Sequence, residues 1–236
     1  MLKKGADLNI KNMNGETVLH ELCRMLEKLV LTIKFIKKLI YKDANLNIQN
    51  IDGNTPLHVA INYMEIHGNT EIVKILLDAN AKIDIQNSDG NTALHLALKN
   101  DKIPEIGKML MNLGGRDLSD IKDNDGYTAL HIAVKNKLPE IVKILLNHDN
   151  RIADIKNNDG ETPLHIAAYC KFPEGMYYML DAGADVDIKD NYGNTPLHIA
   201  IIFSCMNGVK VLLKNGAKLD IQNNSGKTPL DVQCIG

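Results

Sequence analysis

Tryptophan is absent from the 236 residues and phenylalanine occurs three times, while isoleucine, lysine and asparagine are abundant, a bias that points to coding DNA poor in G and C. Arginine stands only at Arg24, Arg116 and Arg151. The planar forks that read phosphate or guanine in pairs are therefore nearly missing, and a formal charge of -2 supplies no basic field, so nucleic acid is not expected as a partner. The cysteines Cys23, Cys170, Cys205 and Cys234 include no Cys-x-x-Cys pair, and reduced, buried thiols are expected, not a metal site or a disulfide framework. No secretory signal peptide opens the chain, and no run approaches the roughly 20 apolar residues that a membrane span needs. The stretch 26–40 comes nearest, but Glu27, Lys28, Lys34, Lys37 and Lys38 interrupt it, and it reads as an amphipathic helix. Phosphate loops of the Gly-x-x-x-x-Gly-Lys-Ser/Thr type, Gly-x-Ser-x-Gly elbows and kinase signatures are all missing, so an enzyme is not expected.

What is present is repetition. A glycine two residues ahead of a threonine opens the same phrase again and again, from Gly15-Glu16-Thr17-Val18-Leu19-His20 through Gly53-Asn54-Thr55-Pro56-Leu57-His58 to Gly226-Lys227-Thr228-Pro229-Leu230-Asp231. The threonines stand at 17, 55, 92, 128, 162, 195 and 228, so by subtraction the steps are 38, 37, 36, 34, 33 and 33 residues. Such a period means a stacked array, because one helix pair cannot cover its own apolar face and needs neighbours on both sides. With 44% apolar and 24% charged residues, the composition is that of a folded chain. One domain, 1–236, is expected, with a partial repeat 1–11, repeats 12–49, 50–86, 87–122, 123–156, 157–189 and 190–222, and a partial repeat 223–236.

Each repeat reads as two short helices and a turn. Thr162-Pro163 is an N-cap followed by the residue that loses nothing at the first helical position, and Pro173-Glu174, Pro139-Glu140 and Pro104-Glu105 start second helices with the acid in the first turn. Left-handed helix ends are expected at Gly5, Asp43, Asn80, Gly114 (or Gly115), Asp149, Gly183 and Gly216. Tips such as Asn50-Ile51-Asp52-Gly53 and Asp190-Asn191-Tyr192-Gly193 carry tight-turn chemistry. The phrase, the period and the tips together resemble the ankyrin repeat family very closely. The resemblance implies an all-α solenoid of stacked helix-turn-helix pairs with projecting β-turn or hairpin loops. It also implies binding of a partner protein through those turns and a concave inner-helix face.

The pattern has departures. From threonine to the expected left-handed position, 17 to 43 is 26 residues and 55 to 80 is 25, against 21 from 162 to 183. The extra residues are expected to lengthen helices or the turn between them, near Leu22 to Thr32 and Met64 to Thr70. The chain opens on what looks like half a repeat and closes inside another. A fragment of something longer is therefore expected, and the second functional reading is a targeting arm of a multidomain protein, a host-directed effector among the options, whose enzymatic or ligase-recruiting domain lies elsewhere. Asp231 and Gln233 replace the His and Ala of the phrase in the last copy.

Six of the eight histidines, His20, His58, His95, His131, His165 and His198, hold one slot of the phrase. Equal placement in every repeat says each does a local structural job, which in the resembled family is hydrogen bonding at the base of the turns. Metal, cofactor and small-molecule ligands are not expected, nor is a membrane partner, and a reducing intracellular compartment, the cytoplasm or a host cytoplasm, fits the thiols. The slot before each threonine holds Glu16, Asn54, Asn91, Tyr127, Glu161, Asn194 and Lys227. The groove positions of the first helices hold Asn62 and Tyr63, Lys99 and Asn100, Lys135 and Asn136, Tyr169 and Cys170, and Ile202 and Phe203. Large apolar and aromatic entries break this polar strip, so Tyr127, Tyr169, Tyr192, Ile202 and Phe203 are the expected partner-binding residues. Ile202 and Phe203 could instead pack against the last, partial repeat.

Overall fold

The computed structural model describes residues 7–25, 29–67, 70–99, 104–114 and 118–232. Gly5, Asn100, Gly115, Gln233 and Cys234, and the side chain of His67, lie outside the described set. Among the described residues there are helices and turns and no strand. The chain divides into two compact units, Met1–Leu110 and Met111–Gly236.

In the first unit the helices are α1 (Val18–Arg24), α2 (Leu29–Tyr41), α3 (Pro56–His67), α4 (Glu71–Asp78) and α5 (Ala93–Lys99), and the boundary falls inside α6 (Pro104–Gly114). Helix α1 packs on α3 and α3 on α5, forming an inner row, while α2 packs on α4 in an outer row. In the second unit α7 (Ala129–Lys135), α9 (Pro163–Tyr169) and α11 (Pro196–Ile202) make the inner row, and α8 (Pro139–His148), α10 (Pro173–Asp181) and α12 (Met206–Lys214) the outer row. The core lies between rows: Leu57, Ile61, Val73 and Leu76 are buried in the first unit, and Leu130, Val142, Leu145, Leu164, Met176, Met179 and Leu197 in the second. A pair with neighbours on both sides, such as α9 and α10, is thus covered by them, which is the requirement that the sequence period imposes.

Helix starts follow the phrase. Thr162 and Thr195 are extended N-caps with Pro163 and Pro196 at the first helical position, and His165 and His198 close a capping box in the place where Glu or Gln usually stands. Helix ends follow it less uniformly. Asp43, Asn80, Gly183 and Gly216 take the expected left-handed conformation, with φ of 58°, 61°, 94° and 86°. Asp149 does not. Its φ is -154°, and its carboxylate accepts the Arg151 backbone N–H at 3.1 Å, starting a 3₁₀ turn over Asn150–Asp154. The one-residue excess of this repeat is absorbed there. Gly114 is likewise still helical, as the last residue of α6.

A second set of left-handed residues, Lys137, Lys171 and Ser204, joins inner to outer helix with φ of 52°, 54° and 55°. Each closes a Schellman motif: Leu138 N–H donates to Ala133 C=O at 2.9 Å, Phe172 to Ala167 at 2.9 Å and Cys205 to Ala200 at 2.7 Å. No glycine advertises these positions in the sequence. The longer repeats of the first unit carry extra residues as helix: outer helix α2 has 13 residues against 10, 9 and 9 in α8, α10 and α12, and inner helix α3 has 12 against 7 in each of α7, α9 and α11.

A candidate partner-binding strip

The turn at each tip is clamped by its first residue. Asn50 Oδ1 accepts the N–H groups of Asp52 at 3.0 Å and Asn54 at 2.9 Å, while Gly53 N–H donates back to Asn50 C=O at 3.0 Å. Neighbouring tips are tied by one backbone bond, Ile51 N–H to Asn14 C=O at 3.0 Å and Asn191 N–H to Asp159 C=O at 3.0 Å. That closeness requires glycine at the fourth position. Gly53 has φ of +71°, and a Cβ there would stand 2.6 Å from the backbone nitrogen of Ser88 in the next tip.

Under the tips, threonine and histidine form a relay from one repeat to the next. The Thr195 N–H and hydroxyl meet His198 Nδ1 at 3.1 Å and 2.9 Å, and His198 Nε2 meets Lys227 C=O at 3.0 Å. The same contacts recur from His20 to Asn54 C=O, His58 to Asn91, His131 to Glu161 and His165 to Asn194. A backbone N–H can only donate and a carbonyl can only accept, so Nδ1 carries the lone pair and Nε2 the proton. Burial of these rings opposes protonation and lowers the pKa of His20, His58, His131, His165 and His198, His131 to about 4. They are neutral structural donors. In the last copy Asp231 accepts the Thr228 N–H at 3.0 Å and hydroxyl at 2.6 Å, which keeps the capping half of the relay without the donor that reaches onward.

At Glu16, Asn91 and Tyr127 the slot residue stands beside the end of its own inner helix, eight positions on. Arg24 pairs with buried Glu16 and lies 5.4 Å over the Tyr63 ring, Lys99 Nζ donates to Asn91 Oδ1 at 2.7 Å, and Lys135 Nζ lies 5.3 Å from the centre of the Tyr127 ring. Within each unit, slot and groove positions therefore lie side by side.

On this strip the five expected residues divide. Tyr169 is 54% exposed and meets half-buried Phe203 of the next repeat edge-on, with ring centres 4.6 Å apart at 74°. Tyr192, 69% exposed at its tip, and Ile202 share an open depression of about 430 Å³ with Asn194, Asn223, Lys227 and Val232. Ile202 thus faces the last partial repeat across this depression. Tyr127 turns inward, half-buried and edge-on to His131 at 5.5 Å, and burial with the nearby Glu161 carboxylate raises its phenol pKa.

Glu161 is half-buried with its pKa raised by desolvation, against which Asn157 donates at 2.9 Å. Burial raises the pKa of the Cys170 thiol, and that of Cys23 further still, away from thiolate chemistry. Among the described residues no group of three or more His, Cys, Asp or Glu could hold a metal ion, and no helix is long and apolar enough to cross a membrane.

Comparison with known proteins agrees with this anatomy. A family model described as ankyrin repeats (3 copies) matches residues 1–86, 29–119, 62–156 and 103–190, and one described as ankyrin repeats (many copies) matches 179–232. No curated protein sequence matches the chain. Among solved structures, the ankyrin repeat domain of Bcl-3, a member of the IkappaB protein family, is similar at 28% identity and a TM-score of 0.76, over 93% of this chain and 95% of that one. The human ASB11 ankyrin repeat domain is similar at 26% identity and a TM-score of 0.73, over 93% of both chains. A chain from the complex of the predatory endopeptidase Bd0816 of Bdellovibrio bacteriovorus with immunity protein Bd3460 matches at 26% identity and a TM-score of 0.70, over 87% of this chain and 99% of that one. With family matches running from residue 1 to 232 and the Thr–His relay joining successive turns, the chain belongs to the ankyrin repeat family.

Proposed function

We propose that this chain is a non-catalytic scaffold that holds a partner protein against the turn tips and the exposed ends of the inner helices of its second unit. The observation that carries the reading is the Tyr169–Phe203 pair, two rings from adjacent repeats that meet edge-on at the surface of the strip. Aromatic groups of this kind supply most of the binding energy at protein interfaces, while surrounding polar groups supply fit and register. Tyr192 and Ile202, flanking the neighbouring depression, extend the apolar patch, and Tyr127 with Lys135 adds a polar edge. Bd0816 and Bd3460, one chain of which shares this fold, form a protein–protein complex, in keeping with the reading.

The test is capture by the immobilised full chain followed by mass spectrometry, repeated with Tyr169→Ala/Phe203→Ala. A species retained by the wild type should bind the variant about thirtyfold less tightly, the loss of a 2 kcal/mol anchor, with unchanged circular dichroism. Equal retention by a natively folded variant would assign binding to another face.

A further inference from the structure

Helix α2 has large apolar residues around its whole circumference, and its partners cover only half of them. Thr32, Ile36 and Leu39 are buried. At 3.6 residues per turn the side opposite Ile36 is centred on Lys34 and Lys38. Val30 and Tyr41 flank it on one side and Leu31 and Phe35 on the other, and these four are 85%, 87%, 47% and 45% exposed. Lys37 and Lys42 are exposed as well, and the segment 29–42 contains no acid. Among the described residues none of these four lysines joins an ion pair. The outward face is thus an even mixture of lysine and large apolar side chains, in a chain whose formal charge is -2.

Unneutralised lysines call for an anionic partner, and the interleaved apolar groups call for one with an apolar layer behind the charge. An acidic helical peptide would need a groove. The groove beside α2 sets Lys37 and Lys74 against Glu71 and Asp78, so it offers such a peptide no net attraction. A lipid surface needs no groove: anionic headgroups attract the ammonium groups, whose stems reach up past apolar side chains lodged at the acyl boundary. We propose that the outward face of α2 docks on an anionic lipid surface, with Val30, Leu31, Phe35 and Tyr41 entering the interface and Lys34, Lys37, Lys38 and Lys42 among the headgroups. This departs from the expectation of no membrane partner, which rested on the want of a spanning segment. Docking by a helix face needs none.

Co-sedimentation of the full chain with phosphatidylcholine vesicles, with and without about one-third phosphatidylserine, tests the proposal. Binding should require phosphatidylserine and weaken as salt is raised. Lys34→Glu/Lys38→Glu should reduce it about twentyfold or more, at about fivefold for each charge neutralised. Val30→Ser/Tyr41→Ser, at positions too exposed to disturb folding, should reduce it about tenfold at unchanged melting temperature. Absence of binding to anionic vesicles, equal binding to neutral ones, or binding indifferent to both double variants would overturn the proposal. So would saturable capture of a labelled polyglutamate peptide by a chain that ignores vesicles, since that would give the face to an acidic protein segment.

Discussion

The two compact units use the same relay inside repeats of different size. In the second unit every inner helix has 7 residues and the outer helices have 10, 9 and 9. In the first, α3 has 12 and α2 has 13. Yet Thr55 Oγ1 stands 2.7 Å from His58 Nδ1 and His58 Nε2 stands 3.1 Å from the next carbonyl, against 2.9 Å and 3.0 Å at Thr195 and His198. Hydrogen bonds of fixed length pin the tip and the first turn of each inner helix. The far half of the repeat is held by apolar packing, which tolerates extra turns and leaves some of them uncovered, as on α2.

If the relay matters equally in both units, His58→Ala and His165→Ala should cost about the same, roughly 4 kcal/mol each in urea unfolding, since each strands a buried N–H and a buried carbonyl and leaves a cavity. A first unit indifferent to His58→Ala would break the comparison. Acidification attacks the relay at His20, His58, His131, His165 and His198 together. A histidine with a depressed native pKa leaves the unfolded chain to take up the proton first, so stability present above about pH 6.5 is lost as pH falls towards about 4, on the order of 3 kcal/mol for His131 alone. Glu161 and Asp154, whose pKa values burial raises, shift stability the opposite way below neutrality and blunt the loss. Melting temperature followed from pH 7.5 to 4 should therefore fall, and a flat profile would contradict neutral buried rings.

Gly53→Ala should cost about 2 to 3 kcal/mol, through both left-handed strain and the clash with Ser88, whereas Gly183→Ala, with open space around it, should cost only about 1 kcal/mol of strain. Equal losses would mean that tip contact adds nothing. The smallest effect is expected on the strip: Tyr169→Ala should shift stability by less than about 1 kcal/mol, because the ring is mostly exposed.

Much of this architecture can be read from residues whose role is local. The Thr-Pro starts, the Asn/Asp turn clamps and the histidine slot each act within four residues or on the next repeat's turn, so a period reveals them. Asp149 was legible only as a residue type that tolerates positive φ; the extra residue of its repeat let it cap a 3₁₀ turn instead. Lys137, Lys171 and Ser204 were illegible because their Schellman bonds outweigh the modest cost of a left-handed non-glycine residue. The lysines of α2 mark its outer side in the pattern, but the exposure of Val30, Leu31, Phe35 and Tyr41 among them could not be read there, since apolar residues on a helix are expected to find cover. On the strip, residue type picked out Tyr169 and Phe203, but only coordinates set them ring to ring and turned Tyr127 inward.

Nitrogen-15 NMR of the histidine rings tests the relay most directly. The account predicts Nε2–H tautomers with unprotonated Nδ1 at His20, His58, His131, His165 and His198, still neutral at pH 6 while exposed imidazoles titrate normally. Protons on Nδ1, or rings that charge near pH 6.5 without loss of structure, would contradict it.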